Sequence, residues 1–242
     1  MVISEVDLVQ EEGWYHAHLA QKAVRALKRR NLTAFYAPHR QEALAKVMEL
    51  IPKGATVVCG DSVTLHEVGV FEALTGSGDY NFLNPFARDA EGNLLVKGQE
   101  RLDMERKAFT ADVFLCGINA LTLDGRIVNV DGAGNRVAPT IFGPKRVIMV
   151  TGANKVVKNL EEAMRRVHEV AAPINARRHY MKHHMEDMAR LPCYQSGLCV
   201  DCLTPERICC FTVTIEGQRA PNSVPDYLPR IHVVVVGEKL GI

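Results

Sequence analysis

Four runs constrain this chain more than any other feature: "ATVVCG" (55–60), "DVFLCGINALT" (112–122), "RVIMVTG" (146–152) and "RIHVVVVGEKLG" (230–241). Each holds several consecutive apolar residues, without the alternation of a strand that wets one face. Each is then interrupted by glycine. Strands buried on both sides belong to parallel sheets, whose crossover helices cover both faces. The intervening segments supply such helices. Residues 14–30 place Trp14, Leu19, Ala23, Val24 and Leu27 near one helical face, with Lys and Arg crowding the end and Asn31 as a stop. Residues 41–51, 99–111, 159–172 and 174–191 read as further helices. Another runs from a cap at Asp61 or Ser62 to a stop at Gly76. "LTAFYA", "RIVNVDG" and "CCFTVTIEG" read as additional strands, the late ones either extending the sheet or pairing antiparallel. The expected fold is α/β: a three-layer, Rossmann-like, mainly parallel sheet with a Cys-rich loop near the C-terminus.

Residues 1–242 read as one domain, without internal repeats, and the segment 192–210 lies within it as a metal-binding loop. A Pro-rich loop spans 217–230. A net charge of +1 supplies no bulk attraction to nucleic acid or to an acidic membrane surface. No apolar run approaches the ~20 residues of a membrane span. The N-terminal stretch is mixed and acidic, unlike a signal peptide, so a cytoplasmic location is expected. Seven cysteines, an odd number, argue against a disulfide framework there.

In open parallel sheets, ligands sit beyond the carboxyl ends of the strands. Glycine-bearing loops occupy that position at Gly60-Asp61-Ser62, at Gly117-Ile118-Asn119 and at Gly152-Ala153-Asn154-Lys155, and "DGAGNR" (131–136) adds another. Glycine lets backbone N–H groups approach an anion, and helix N-termini add partial positive charge. The candidate ligand-binding residues are therefore Asp61, Ser62, Thr64, Asn119, Asp131, Gly132, Gly134, Asn135, Arg136 and Lys155, with a small anionic metabolite as the ligand. Arg136 and Lys155 supply full charges. Asp131 could hold a substrate hydroxyl, bind a metal or brace its loop. The spacing matches neither the dinucleotide fingerprint nor the phosphate-binding loop of nucleotide hydrolases. Asp124-Gly125, by contrast, reads as a hairpin tip.

"PCYQSGLCVDCLTPERICC" gives the pattern C-x5-C-x2-C-x6-C over Cys193, Cys199, Cys202 and Cys209, with Cys210 as a rival fourth ligand. Four thiolates select zinc or iron–sulfur. The compact spacing favours an iron–sulfur cluster of the 4Fe-4S type, with zinc as the alternative. Cys59 and Cys116 fall inside apolar strands and read as small core residues. "RRHYMKHHMED" puts His179 and His183 four residues apart, on one helical face that is either solvated or metal-ligating. His66, just past the first buried strand, reads first as a structural residue and otherwise as the best single histidine candidate for the pocket.

The stretch from "DVFLCGINALTLDGRIVNVDGAGNR" to "VTGANKVV", with "AAPINARR", "PCYQSGLCVDCLTPERIC", "GDSVTLHEVGV" and the "RIHVVVVGEKLG" ending, resembles the lactate-utilisation (LUD-domain) family. The resemblance implies a fold similar to ribose-phosphate isomerases and CoA-transferases, which often form dimers or larger assemblies. It also implies a part in oxidising a 2-hydroxy acid, lactate, beside iron–sulfur redox subunits. Two other functions remain open: a sugar-phosphate isomerase- or CoA-transferase-like enzyme with a structural zinc, and a ligand sensor without chemistry.

Overall fold

In the computed structural model, which describes residues 5–220 and 229–242, the apolar runs become neighbouring strands. Helix α1 (Val9–Arg29) leads into β1 (Thr33–Ala37), α2 (Arg40–Leu50) and β2 (Thr56–Cys59). The helix expected next is two, α3 (Val63–Val68) and α4 (Val70–Ser77), divided at Gly69 with φ +84°. Ser62, rather than Asp61, caps α3 by accepting from the Leu65 N–H at 3.3 Å. The stop after α4 is Gly78, in the left-handed conformation, rather than Gly76.

The chain continues through β3 (Asn81–Leu83) and α5 (Gly98–Arg106), which tightens into a 3-10 turn over Lys107–Thr110. The run 112–122 is not one strand. It breaks into β4 (Val113–Gly117) and β5 (Ala120–Thr122), which join different sheets. Then follow β6 (Ile127–Asp131), α6 (Val137–Ile141), β7 (Arg146–Gly152), β8 (Val156–Val157) and α7 (Leu160–Arg166). A π-helical turn, Val167–Ala171, joins α7 to α8 (Ala172–His183). The helix expected to reach residue 191 stops here because His184 turns left-handed, φ 52°. A 3-10 turn, α9 (Pro192–Ser196), β9 (Phe211–Ile215) and β10 (Ile231–Val236) complete the elements. Of the Pro-rich stretch 217–230, residues 221–228 lie outside the described residues.

The main sheet has the order β1-β10-β7-β4-β2-β3 and is parallel throughout. A second sheet, β8-β5-β6-β9, is mixed, with β6 antiparallel to both neighbours. The late strands thus divide: β10 extends the parallel sheet, and β9 pairs antiparallel in the other. Asp124-Gly125 does form the tip between β5 and β6. Gly125 has φ +90°, and a Cβ there would lie 2.6 Å from the Ala26 carbonyl carbon. Only glycine fits this turn against α1.

β10 shows why its sequence is continuously apolar. Val233 and Val235 join a core with Ala23 and Leu27 of α1, while Val234 and Val236 face Ala43 of α2 and Leu65 of α3. Each such side chain contributes roughly 1.5–3 kcal/mol by leaving water. The second sheet lies against the α1 side, and its far face packs Ala120 and Val128 on Ala163 of α7. Trp14 falls outside this core: it is 63% exposed and leans on His18. Among the described residues, no helix is long and apolar enough to cross a membrane.

Candidate functional site

Strands β2, β4 and β7 are parallel neighbours, so all three end at one edge. The order β7-β4-β2 places the loops after them side by side. The glycines there admit protein side chains. A Cβ on Gly117 would lie 2.7 Å from Ser62 Oγ, and one on Gly60 would lie 3.0 Å from Arg136 Cγ. The result is a cavity of about 80 Å3 lined by Asp61, Ser62, Thr64, Asn119, Arg136 and Lys155, closed by Asn175 and Arg178 of α8. This is well below the ~300–1,000 Å3 of sites for drug-sized molecules, and it leaves room for only a few heavy atoms.

The remaining expected residues lie elsewhere. Asp131, Gly132 and Asn135 line an adjoining cavity of about 640 Å3, which also touches Asp61 and Arg136. The Asp131 carboxylate accepts from the backbone N–H groups of Arg136 (2.8 Å) and Val137 (3.2 Å), so it braces the loop and the start of α6. Gly132 leaves space for the Ile208 backbone. Asn135 donates to Glu105, 2.8 Å away. Gly134 belongs to a separate groove beside Phe211. His66 is exposed at the surface, not in the pocket.

Electrostatics mark the small cavity. Arg136 donates to Asn119 Oδ1 at 2.9 Å, to Asn129 Oδ1 at 3.4 Å and to the Val130 carbonyl, all uncharged oxygens. Arg166 donates to the backbone carbonyl of Asn119 at 2.7 Å, and burial lowers its pKa to about 10. Lys155 is buried, with Nζ 2.9 Å from Thr64 Oγ1. Burial, followed by the charges of Arg166 and Arg136, lowers its pKa to about 7, against a smaller upward pull from Glu67. Among the described residues, none of these three cations has a salt bridge. Arg178 differs: it closes on both Asp61 oxygens. Burial pushes the Asp61 carboxyl upward, but Arg178 outweighs it and holds Asp61 below the ordinary carboxylate range.

His179 and His183 face Asp61 from α8, beside the larger cavity. Burial lowers their pKa values to about 4 and about 3, so both rings are neutral at pH 7.

The cysteine segment sits next to this wall. α9 carries Cys193, and irregular backbone carries the others up to β9. Cys193 is raised by burial and then by the charges of Cys202, Cys209 and Cys199, so the four sulfurs share one neighbourhood. Donors surround them. The Asp201 N–H points at Cys199 Sγ (3.4 Å), Arg207 Nε at Cys209 Sγ (3.3 Å) and Thr204 Oγ1 at Cys202 Sγ (3.7 Å). The π-helical turn brings His168 Nδ1 within 3.4 Å of Cys199 Sγ. Cys210 is exposed, and its thiol donates to the Arg207 carbonyl. Its backbone N–H donates to the Asp131 carbonyl at 2.9 Å, so the segment is tied directly to the Arg136 loop. Cys59 and Cys116 lie in the two cores, with burial raising both thiols, Cys116 to about 12.

Arg178, Asn175, Arg166 and Asn129 escaped the sequence-level candidate set. Asn129 had a visible signal: an amide in the middle of the otherwise apolar "RIVNV". It is fully buried, and its Oδ1 accepts from the Asn119 N–H at 2.9 Å.

Comparison with protein families matches residues 20–236 to the LUD domain. No curated protein sequence gives a significant match. Among solved structures, the chain is similar to a DUF162 family protein from Deinococcus radiodurans, at 12% identity and TM-score 0.49, covering 91% of this chain and 98% of that one. It is also similar to ribose 5-phosphate isomerase from Plasmodium falciparum, at 12% identity and TM-score 0.31, over 50% of this chain and 53% of that one. A third is ribose 5-phosphate isomerase A from Neisseria gonorrhoeae, at 13% identity and TM-score 0.31, over 50% and 54%.

Proposed function

The chain belongs to the LUD-domain family, and from that premise we propose that it serves 2-hydroxy-acid utilisation, with lactate as the substrate. It binds a small carboxylate between Arg136 and Lys155, carries an iron–sulfur cluster on Cys193, Cys199, Cys202 and Cys209, and works with iron–sulfur redox subunits in the cytoplasm. The observation that carries this proposal is the small cavity itself. Among the described residues, two cations without carboxylate partners, Arg136 and Lys155, line a space that fits a few-atom anion, and Arg166 adds its charge from behind the Asn119 carbonyl. Arg136 is the carboxylate clamp, fixed by Asn119 and Asn129. Lys155, with a pKa of about 7, can take or return a proton at a substrate hydroxyl, and Thr64 orients it.

The donor set suits the cluster. A zinc ion with ~2.3 Å bonds would hold its sulfurs about 3.8 Å apart. Among the described residues, the one group of three potential ligands within 4.8 Å of each other is Asp61, His179 and His183, so no three of the sulfurs meet so closely. An iron–sulfur cluster held there would supply one-electron chemistry.

Protein purified without oxygen is expected to contain iron and acid-labile sulfide and to show visible absorption that bleaches on reduction. Colourless protein with one tightly held zinc would overturn the cluster. L-lactate or pyruvate should bind in calorimetry, and Arg136→Ala should abolish that binding with iron content intact. Unchanged affinity in that variant would overturn the pocket.

A second reading rests on the larger cavity. Its 640 Å3 and its Arg88, Lys97 and Arg101 side chains would accept a phosphorylated or CoA-linked substrate. Tight binding of such a molecule, with none of lactate or pyruvate, would favour it.

A further inference from the structure

The anion pocket leaves a second set of donors unused. His179 and His183 lie one turn apart on α8, and the loop after β2 brings Asp61 against them. One ligand atom from each residue lies within 4.8 Å of the other two. The two imidazole Nδ1 atoms are 3.1 Å apart. Two imidazoles bound to a common ion at about 2.0–2.1 Å place their nitrogens roughly 2.9–3.4 Å apart, for octahedral to tetrahedral angles. We propose that Asp61, His179 and His183 form a binding site for a divalent first-row transition ion, distinct from the four-cysteine segment.

Two histidines and one carboxylate are a donor set that such ions accept while keeping coordination positions open. Arg178 does not exclude the ion. A carboxylate has about four acceptor positions, and the bidentate guanidinium uses two of them while fixing the orientation of Asp61. Met185 Sδ, 3.2 Å from His179 Nδ1, adds a polarizable neighbour. All three ligand residues line the 640 Å3 cavity, so a molecule there could reach an ion they hold. Arg88 and Arg101 line it, and their charge favours an ion that also carries an anionic oxygen ligand. The inference stands whether or not the smaller pocket takes a carboxylate.

Mn2+ is the first probe, because a hard ion prefers nitrogen and oxygen over thiolate. Titration of the whole chain, followed by loss of the free-ion electron paramagnetic resonance signal, should show one bound equivalent. The His179→Gln/His183→Gln variant should lose it, or bind at least about tenfold more weakly. Its metal-free near-UV circular dichroism and melting temperature report whether the fold survives. Equal uptake by the folded variant overturns the site. Should the variant not fold, the wild-type Co2+ spectrum decides. Nitrogen and oxygen ligation bands support the site, and purely sulfur-to-cobalt charge transfer overturns it.

Discussion

Arg178 on α8 holds Asp61 in the loop after β2 with two parallel bonds, 2.8 and 2.9 Å long, across 117 residues of chain. The pair fixes α8, which closes the small cavity, to the edge of the main sheet. Both side chains are largely withdrawn from solvent. Arg178→Ala leaves a carboxylate without its counter-charge and should cost about 3–5 kcal/mol in denaturant unfolding. A cost below about 1 kcal/mol would show that the pair does not fasten the helix.

Lys155 should make stability depend on pH. Its ammonium form is disfavoured in the fold, so the folded pKa, about 7, lies below the unfolded value of roughly 10.4. Between these values the unfolded chain binds more protons, so stability rises with pH across that window. Arg136, Arg166 and Glu67 are the charges acting on it. Lys155→Met should flatten melting temperature against pH between about 7 and 10. Parallel profiles for the two proteins would contradict the buried ammonium.

The close approach at Gly117 is testable as a coupling. Gly117→Ala drives its Cβ into Ser62 Oγ and disturbs the cap of α3, for an expected loss of about 2–3 kcal/mol. In a Ser62→Ala background the same change should cost less, and a double-mutant cycle measures the difference. Strict additivity would mean that the two positions do not meet.

The fourth sulfur can be assigned by iron content. Cys209 feels the charges of Cys199 and Cys202, whereas Cys210 is exposed and bonds the Arg207 carbonyl. Cys209→Ser should lose iron, and Cys210→Ser should retain it. The opposite pattern would exchange their roles.

Periodicity made the main sheet legible, because strands such as β10 bury both faces and must be apolar at every position. It could not show that the run 112–122 divides between sheets. Both halves are equally apolar, and only the mixed pairing of β5 separates them. The pocket was legible where glycine, Asn119, Arg136 and Lys155 follow apolar strands. Arg178 was not, because an arginine on a polar helix looks like any solvated charge until tertiary packing supplies Asp61. Gly132 and Gly134 lie outside the small cavity, Gly132 against the Ile208 backbone and Gly134 in a turn with φ +84°. Room made for a backbone, or a turn with positive φ, leaves the same mark in sequence as room made for an anion.

The single hydrogen bond from Cys210 to Asp131 has a consequence for how the molecule matures. Asp131 in turn steadies the turn bearing Arg136. Under the proposed function, a cluster held by the sulfurs would steady this strand end and, through Asp131, the loop bearing Arg136. Iron-free protein should then exchange the amide hydrogens of Arg136 and Val137 faster than iron-loaded protein does.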